Sequence, residues 1–305
     1  MKITDDRIRF LFEAWRCGSM RAAADILDLA PSSISRQIAQ LEAETGTSLI
    51  EPGRREIRLT DAGHAVIDYY RARQSSVEVL EAQLLDLAAA RAGHAEIAIG
   101  EGFLGPDFHE TLDGFINTYP GITLSVSVTD TTKMIRLLLD DEVHFGVAFN
   151  PVSHPHVVSR YRAALPLVAI LSAHHRLAQR SSLSMEDLGM ESLALMGPNF
   201  RIRQLIDEAA TNNGLRISPI FTSNSIALLT HMARAHGLIT VLPAFSVSAE
   251  LASGELVAVP VATPELQAVY VHLLARRGRR FAPHLNELAD LIRKRLLPSA
   301  RVSIG

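Results

Sequence analysis

The sequence predicts an α/β chain in three parts: a small all-α N-terminal domain, a long linker helix, and a two-lobed α/β domain. Three observations predict it. The first sixty residues place apolar side chains at helical spacing in short segments broken by glycine and proline. Residues 62–90 hold no proline and, after Gly63, no glycine. From Glu96 onward, short apolar strand runs alternate with helical patterns, as in sheets that carry helices on their faces. At about 150 residues per domain, 305 residues also amount to two domains.

The composition is that of an ordinary globular chain, 48% hydrophobic and 21% charged, with no low-complexity segment. That argues against wholesale disorder. A net charge of −3 announces neither a nucleic acid nor a membrane. The longest stretch without Lys, Arg, Asp or Glu, residues 217–233, is interrupted by Ser, Thr, Asn, Pro and His. A span needs about 20 mostly apolar residues, so no membrane partner is expected. Met1-Lys2-Ile3-Thr4-Asp5-Asp6 turns acidic where a signal peptide needs its apolar region. The one cysteine, Cys17, has no intrachain partner. The expectation is a cytoplasmic protein with Cys17 in a helix core.

In chain order, Ile8, Leu11, Phe12 and Trp15 share one face of a first helix, and Gly18-Ser19 stops it and caps the next. Residues 21–27 form a short alanine-rich second helix with Ala23, Ala24 and Leu27 inward. Asp28-Leu29-Ala30 is a tight connection, and Pro31 suits the first position of a third helix. There Ile34, Ile38 and Leu41 fall at i, i+4 and i+7, which turns Ser32, Ser33, Ser35, Arg36 and Gln37 largely outward. Two helices joined by a three-residue turn, with small residues at their crossing, form a helix-turn-helix. The second of them is slim and polar enough for a DNA major groove. After Gly46, residues 49–60 read as two short extended pieces around Pro52-Gly53. Arg54, Arg55 and Arg58 on this wing lie on phosphate or are solvated surface arginines; the polar helix beside them favours phosphate.

Gly18-Ser19, Arg21-Ala22-Ala23, Leu27, the run Pro31-Ser32-Ser33-Ile34-Ser35-Arg36-Gln37-Ile38, Leu41-Glu42, Gly46, Leu49 and Leu59-Thr60-Asp61-Ala62-Gly63 stand at fixed spacing. Over residues 12–63 the chain resembles the DNA-binding domain of the LysR-type transcriptional regulators. Where that family usually reads Leu-Phe-x-Arg, this chain has Leu49-Ile50-Glu51-Pro52, and Arg54 and Arg55 are the candidates to replace the missing arginine. The resemblance implies a winged helix-turn-helix, a linker helix and an effector domain like a periplasmic binding protein. It implies double-stranded promoter DNA, a small-molecule effector, RNA polymerase and further copies of the chain as partners, as a dimer of dimers. The corresponding division is residues 1–61, 62–92 and 93–305, with one lobe at about 95–162 and 266–305 and the other at about 163–265.

Residues 1–73 hold eleven basic and eleven acidic side chains. Nonspecific affinity follows phosphate neutralisation, so one copy alone is expected to bind DNA weakly. A second copy on the same site supplies the rest by effective concentration. Val66, Tyr70, Val77, Leu80, Leu84 and Leu87 follow heptad spacing, interrupted by Arg73. At 1.5 Å per residue the segment is a rod of about 44 Å. It reads as an interchain coiled coil, with burial on its own chain as the alternative. Arg91-Ala92-Gly93-His94 is expected to end the helix and form a hinge.

In the second domain strands are expected at 97–99, 122–129, 143–149, 193–196, 217–221, 238–242, 257–261 and 266–275. Helices are expected around Phe108, Leu112 and Phe115, and at 132–140, 200–212, 225–235 and 281–297. The alternation reads as parallel sheets, whose ligands bind beyond the carboxyl ends of strands. Those ends carry Glu101, Gly102, Phe103, Thr131, Thr132, Phe149, Asn199, Phe200, Arg201, Ser223 and Asn224, the candidate effector contacts. Thr131, Asn199 and Ser223 cap their own helices or bond a ligand; both uses are open to them. The phenylalanines are core or an apolar wall, Arg201 clamps a carboxylate or faces solvent, and Glu101 with Asp130 repels anions or recruits an amine.

Gly100-Glu101-Gly102-Phe103-Leu104-Gly105 is also a literal G-x-G-x-x-G after an expected strand, with Asp130 at the end of the next. A nicotinamide-dinucleotide oxidoreductase or redox-sensing regulator is therefore the alternative, although Phe103 is bulky in a phosphate turn and Pro106 removes an amide. Other enzyme chemistry is not visible: there is neither G-x-x-x-x-G-K-[ST] nor G-x-S-x-G. His154-Pro155-His156 and His174-His175 lack the partners of a zinc site. A solute-binding module fits the second domain but not the N-terminal helices. The expectation is a non-enzymatic, ligand-responsive regulator needing no cofactor. Arg21, Ser32, Ser33, Arg36, Gln37, Arg54 and Arg55 would contact DNA, with Arg36 and Gln37 on base edges and the wing arginines on phosphate.

Overall fold

The computed structural model describes residues 5–52, 56–87, 93–297 and 301–302. It divides into two compact units, Met1–Leu84 with Gly278–Ala282, and Leu85–Arg277 with Pro283–Gly305.

The first unit holds α1 (Asp5–Arg16), α2 (Met20–Leu27), α3 (Pro31–Thr45) and most of α4 (Asp61–Leu87). Ser19 caps α2, its hydroxyl accepting the Ala22 N–H at 3.2 Å. The turn passes through Asp28 in the left-handed region (φ 52°), a conformation that aspartate tolerates better than most residues. Pro31 opens α3 where its missing N–H costs no helical bond. Ile8, Leu11, Ala23, Ala24, Ile34, Ile38 and Leu41 close into one core with Leu49 and Leu59, and Cys17 packs against it. The wing's two pieces meet at Ile50 and Leu59, with Glu51 N–H donating to the Arg58 carbonyl at 2.8 Å. Glu42 holds the first piece by accepting the N–H groups of Leu49 (2.7 Å) and Ile50 (3.2 Å). A Cβ on Gly63 would lie 2.1 Å from the Leu49 carbonyl oxygen, so only glycine lets α4 pass this close to the wing.

The start of α4 differs from the heptad reading. Ile67 and Tyr70 belong to the core just described and Val66 packs against it. Val66 and Tyr70 therefore face their own chain, because the helix must first close the core of the N-terminal unit. Farther along, Val77, Leu80 and Leu84 stand exposed at 40%, 53% and 56%.

The first strand of the second unit is β1 (Gly93–Ile99), so Gly93 and His94 lie in a strand and not in a hinge. Arg91 and Ala92, the rest of the expected hinge, lie outside the described residues. Then follow α5 (Pro106–Thr118), β2 (Ile122–Val128), α6 (Thr131–Leu139), β3 (Phe145–Phe149) and β4 (Val157–Ala164). Next come β5 (Leu167–Ser172), α7 (Met185–Gly189), β6 (Ala194–Met196), α8 (Arg201–Asn212), β7 (Phe221–Ser223) and α9 (Ile226–His236). The chain finishes with β8 (Thr240–Pro243), α10 (Ser248–Ala252), β9 (Leu256–Pro260), α11 (Pro264–Gln267), β10 (Tyr270–Arg276), α12 (Pro283–Leu296) and β11 (Arg301–Val302).

One lobe is built on a six-stranded sheet in the order β11-β4-β10-β3-β1-β2. The other is built on a three-stranded sheet, β8-β5-β9, and the pair β6-β7. The sheets are mixed, which corrects the parallel reading. β1 runs parallel to β2 and β3, and β6 to β7, but β10 is antiparallel to β3 and β4, and β5 to β8 and β9. The antiparallel strands are those by which the chain leaves for the second lobe and returns. A strand that enters from the far lobe is not bound to the direction that a helical crossover imposes. Residues 217–220 form no strand, and Leu266 lies in α11, where Pro264 starts a helical turn. Burial, with the Arg162 guanidinium adding repulsion, pulls the His272 imidazole down to about 4. Its unfolded value is near 6.5, so the unfolded chain binds this proton first. Between those values stability should fall as pH falls, and His272→Gln should flatten that part of a melting-temperature profile against pH.

Candidate functional site

On α3, Ser32, Ser35 and Arg36 are exposed, Ser33 and Gln37 are half-buried, and Arg21 projects exposed from α2. The face is short and polar because Ile34, Ile38 and Leu41 turn the other way into the core. Arg7 of α1 reaches across to α3, its Nε donating to the Gln37 side-chain oxygen at 3.1 Å while its terminal nitrogen pairs with Glu44. Gln37 is thus tethered through its side-chain oxygen. Arg58 is exposed on the second wing piece. Arg54 and Arg55 lie outside the described residues.

In the second unit, a small cleft opens where β1, β2 and β3 end and α8 begins. It brings together Glu101, Gly102, Phe103, Thr131, Phe149, Phe200 and Arg201 from the expected contacts. Thr132, Asn199, Ser223 and Asn224 do not line it. Thr132, Asn199 and Asn224 are exposed elsewhere, and the Ser223 hydroxyl accepts the Ser225 N–H at 3.0 Å within its own turn. The capping assignments change as well. Asp130, not Thr131, caps α6 by accepting the Lys133 N–H at 2.9 Å, and neither Asn199 nor Phe200 caps α8 with a side chain.

Phe103 is 0% exposed and stacks on Phe149 at 4.3 Å with planes 20° apart, with Phe245 at 5.5 Å on a tilt. Its ring is inner packing behind the cleft surface. Met134 and Met196 complete the apolar wall; both lie in elements expected from the sequence, but neither is among the expected contacts. Arg201 Nε donates to the Asn150 carbonyl at 3.2 Å, and its terminal nitrogens bind Glu208 at 2.6 and 3.3 Å. Asn150 itself holds a positive φ of 31°, fixed by Tyr270 N–H on its side-chain oxygen at 2.7 Å. Glu101 Oε1 accepts the Ile226 N–H at 2.8 Å. Burial pushes its carboxyl up, and the bonds it accepts from Ile226 and from the Ser225 hydroxyl offset part of that rise.

The dinucleotide alternative meets a different turn. Glu101-Gly102-Phe103 is a 3₁₀ turn, and α5 opens only at Pro106, whose nitrogen carries no hydrogen. Asp130 spends one carboxylate oxygen, Oδ1, on the Lys133 N–H of its own helix. Among the described residues no helix is long and apolar enough to cross a membrane.

Two families match. "LysR substrate binding domain" covers residues 88–297, and "Bacterial regulatory helix-turn-helix protein, lysR family" covers residues 6–64. The chain is 28% identical to the HTH-type transcriptional activator CmpR of Synechocystis, over 81% of each chain. It is 26% identical to a RuBisCO operon transcriptional regulator of Allochromatium vinosum, over 96% of each. In structure it resembles a full-length OxyR variant from Pseudomonas aeruginosa (TM-score 0.65, 19% identity, 100% of each chain). It also resembles full-length CbnR complexed with its target DNA (TM-score 0.56, 19% identity, 96% of this chain and 99% of that one).

Proposed function

The chain belongs to the lysR family of bacterial regulatory helix-turn-helix proteins, and from that premise we propose that it reads promoter DNA as paired chains through α3 and alters that reading when a small molecule occupies its cleft. The observation that carries the DNA half is the outward row Ser32, Ser35 and Arg36 on a helix whose other face is fully packed. Arg36 reads a base edge, Gln37 assists through its amide, and Ser32, Ser33 and Arg21 hold backbone phosphate. Arg54 and Arg55 act on phosphate in place of the missing wing arginine. The exposed row Val77, Leu80 and Leu84 pairs two copies, and two such pairs make a tetramer. The protein works in the cytoplasm, where promoter DNA and RNA polymerase are found.

Arg36→Ala should cost about 1–3 kcal/mol and relax sequence discrimination if the contact is bidentate. Footprints and affinities measured at one salt concentration decide it, and an unchanged pattern removes Arg36 from the reading surface. For the effector, the cleft offers Thr131, Phe149 and Phe200 to a small molecule with an apolar body. A ligand that binds only the folded chain raises its melting temperature by mass action. A hit from a panel of small acids, amines and aromatics should lose its effect in Thr131→Trp, which fills the cleft mouth. Retention of the shift in that variant places the ligand elsewhere.

A further inference from the structure

The N-terminus of α9, in the second lobe, has no side-chain cap of its own: Ser225 stands at the capping position and makes no such bond. The partner comes from the first lobe instead. Glu101, in the turn after β1, accepts the Ile226 N–H at 2.8 Å. A helix N-terminus carries unpaired N–H groups and a partial positive charge, and a carboxylate there is held as an incoming anion would be. A second bond joins the lobes: Arg201, from the second lobe, donates to the Asn150 carbonyl of the first at 3.2 Å. The lobes are thus strapped across the cleft at two points. Close packing stands behind the first: a Cβ on Gly102 would sit 3.2 Å from the Phe149 ring and 3.6 Å from Ile226.

We propose that Glu101 is a resident ligand of this cleft, a carboxylate of the chain itself that latches the two lobes through α9 and closes that seat to anions from outside. The geometry of the latch stands without an effector; its consequence for effectors rests on the reading of the cleft given above. The cleft's remaining charges are already engaged, Asp130 on α6 and Arg201 on Glu208. The effector class that fits is then a neutral or cationic molecule with an apolar body. Such a molecule gains from the latch, whereas an anion must displace it.

Hydrogen exchange at the Ile226 amide tests this in the full chain. Glu101→Ala should speed exchange there at least about tenfold, as expected when a hydrogen bond to a charged group is lost. Glu101→Gln keeps an acceptor oxygen and should retain most of the protection. Sodium acetate, supplying the missing carboxylate, should slow exchange again in Glu101→Ala and leave the parent unchanged. Equal exchange in all three proteins overturns the proposal. So does acceleration that acetate fails to reverse, or an acetate effect as large in the parent as in the variant. If these results hold while no compound of the panel shifts the parent's melting temperature, the effector reading fails and the latch stands.

Discussion

A chain carrying Leu80→Asp and Leu84→Asp should sediment as a monomer and bind its operator about 10²–10⁴-fold more weakly than the parent, the range over which linking two modules raises affinity. The charge balance of residues 1–73, eleven basic against eleven acidic, leaves a single domain little electrostatic hold on phosphate. Leu80 and Leu84 lie one helical turn apart and more than half exposed, on a stretch of α4 that has passed beyond the DNA-binding core. Neither side chain supports the fold of its own unit, so any fall in the variant's melting temperature should come from lost association and shrink as the parent is diluted towards monomer. That separates this result from any core substitution. A carboxylate on each of two facing seams puts like charges where apolar side chains would pack, and the penalty falls on association alone. Persistence of the dimer by analytical ultracentrifugation, or undiminished operator affinity in the monomer, would remove the linker from its pairing role. Arg36→Ala should behave differently, losing discrimination while the dimer remains.

Much of the first unit was legible in the residues because its signals are local. Ser19 as a cap, Pro31 as a first helical residue and Ile34, Ile38 and Leu41 on one face each depend on neighbours within a turn or two. The limits appear where tertiary structure decides. Val66 and Tyr70 satisfy a heptad and yet close a core, since periodicity says which residues share a face and not what covers it. β4 was missed because Ser159, Arg160 and Arg162 interrupt its apolar residues, although the strand lies between β10 and β11. The cleft was readable as a set of strand ends, but its partnerships were not. Glu101 and Ile226 are 125 residues apart, and no local rule couples a carboxylate to an amide at that separation.

Phe103→Ala should lower the stability of the second unit by about 3–5 kcal/mol, the usual cost of truncating a buried phenylalanine. For a unit of this size that is a fall in melting temperature of about 6–20 °C. Sequence alone allowed two roles for this ring, core packing or an effector wall, and they predict different outcomes. With no surface exposed and Phe149 stacked at 4.3 Å, removing the ring leaves a void that the backbone of the 3₁₀ turn cannot fill. Phe149 then loses its stacking partner, and the wall it presents to the cleft loosens. Loss of effector affinity in this variant would follow from that loosening and would not by itself make Phe103 a contact. Phe103→Leu separates the roles, since it keeps an apolar filling without a flat face. If Phe103 is packing, the leucine variant should recover most of the stability and most of the response to a ligand. Should Phe103→Ala melt within a degree of the parent while its ligand affinity collapses, the ring belongs to the binding surface and the packing assignment is wrong.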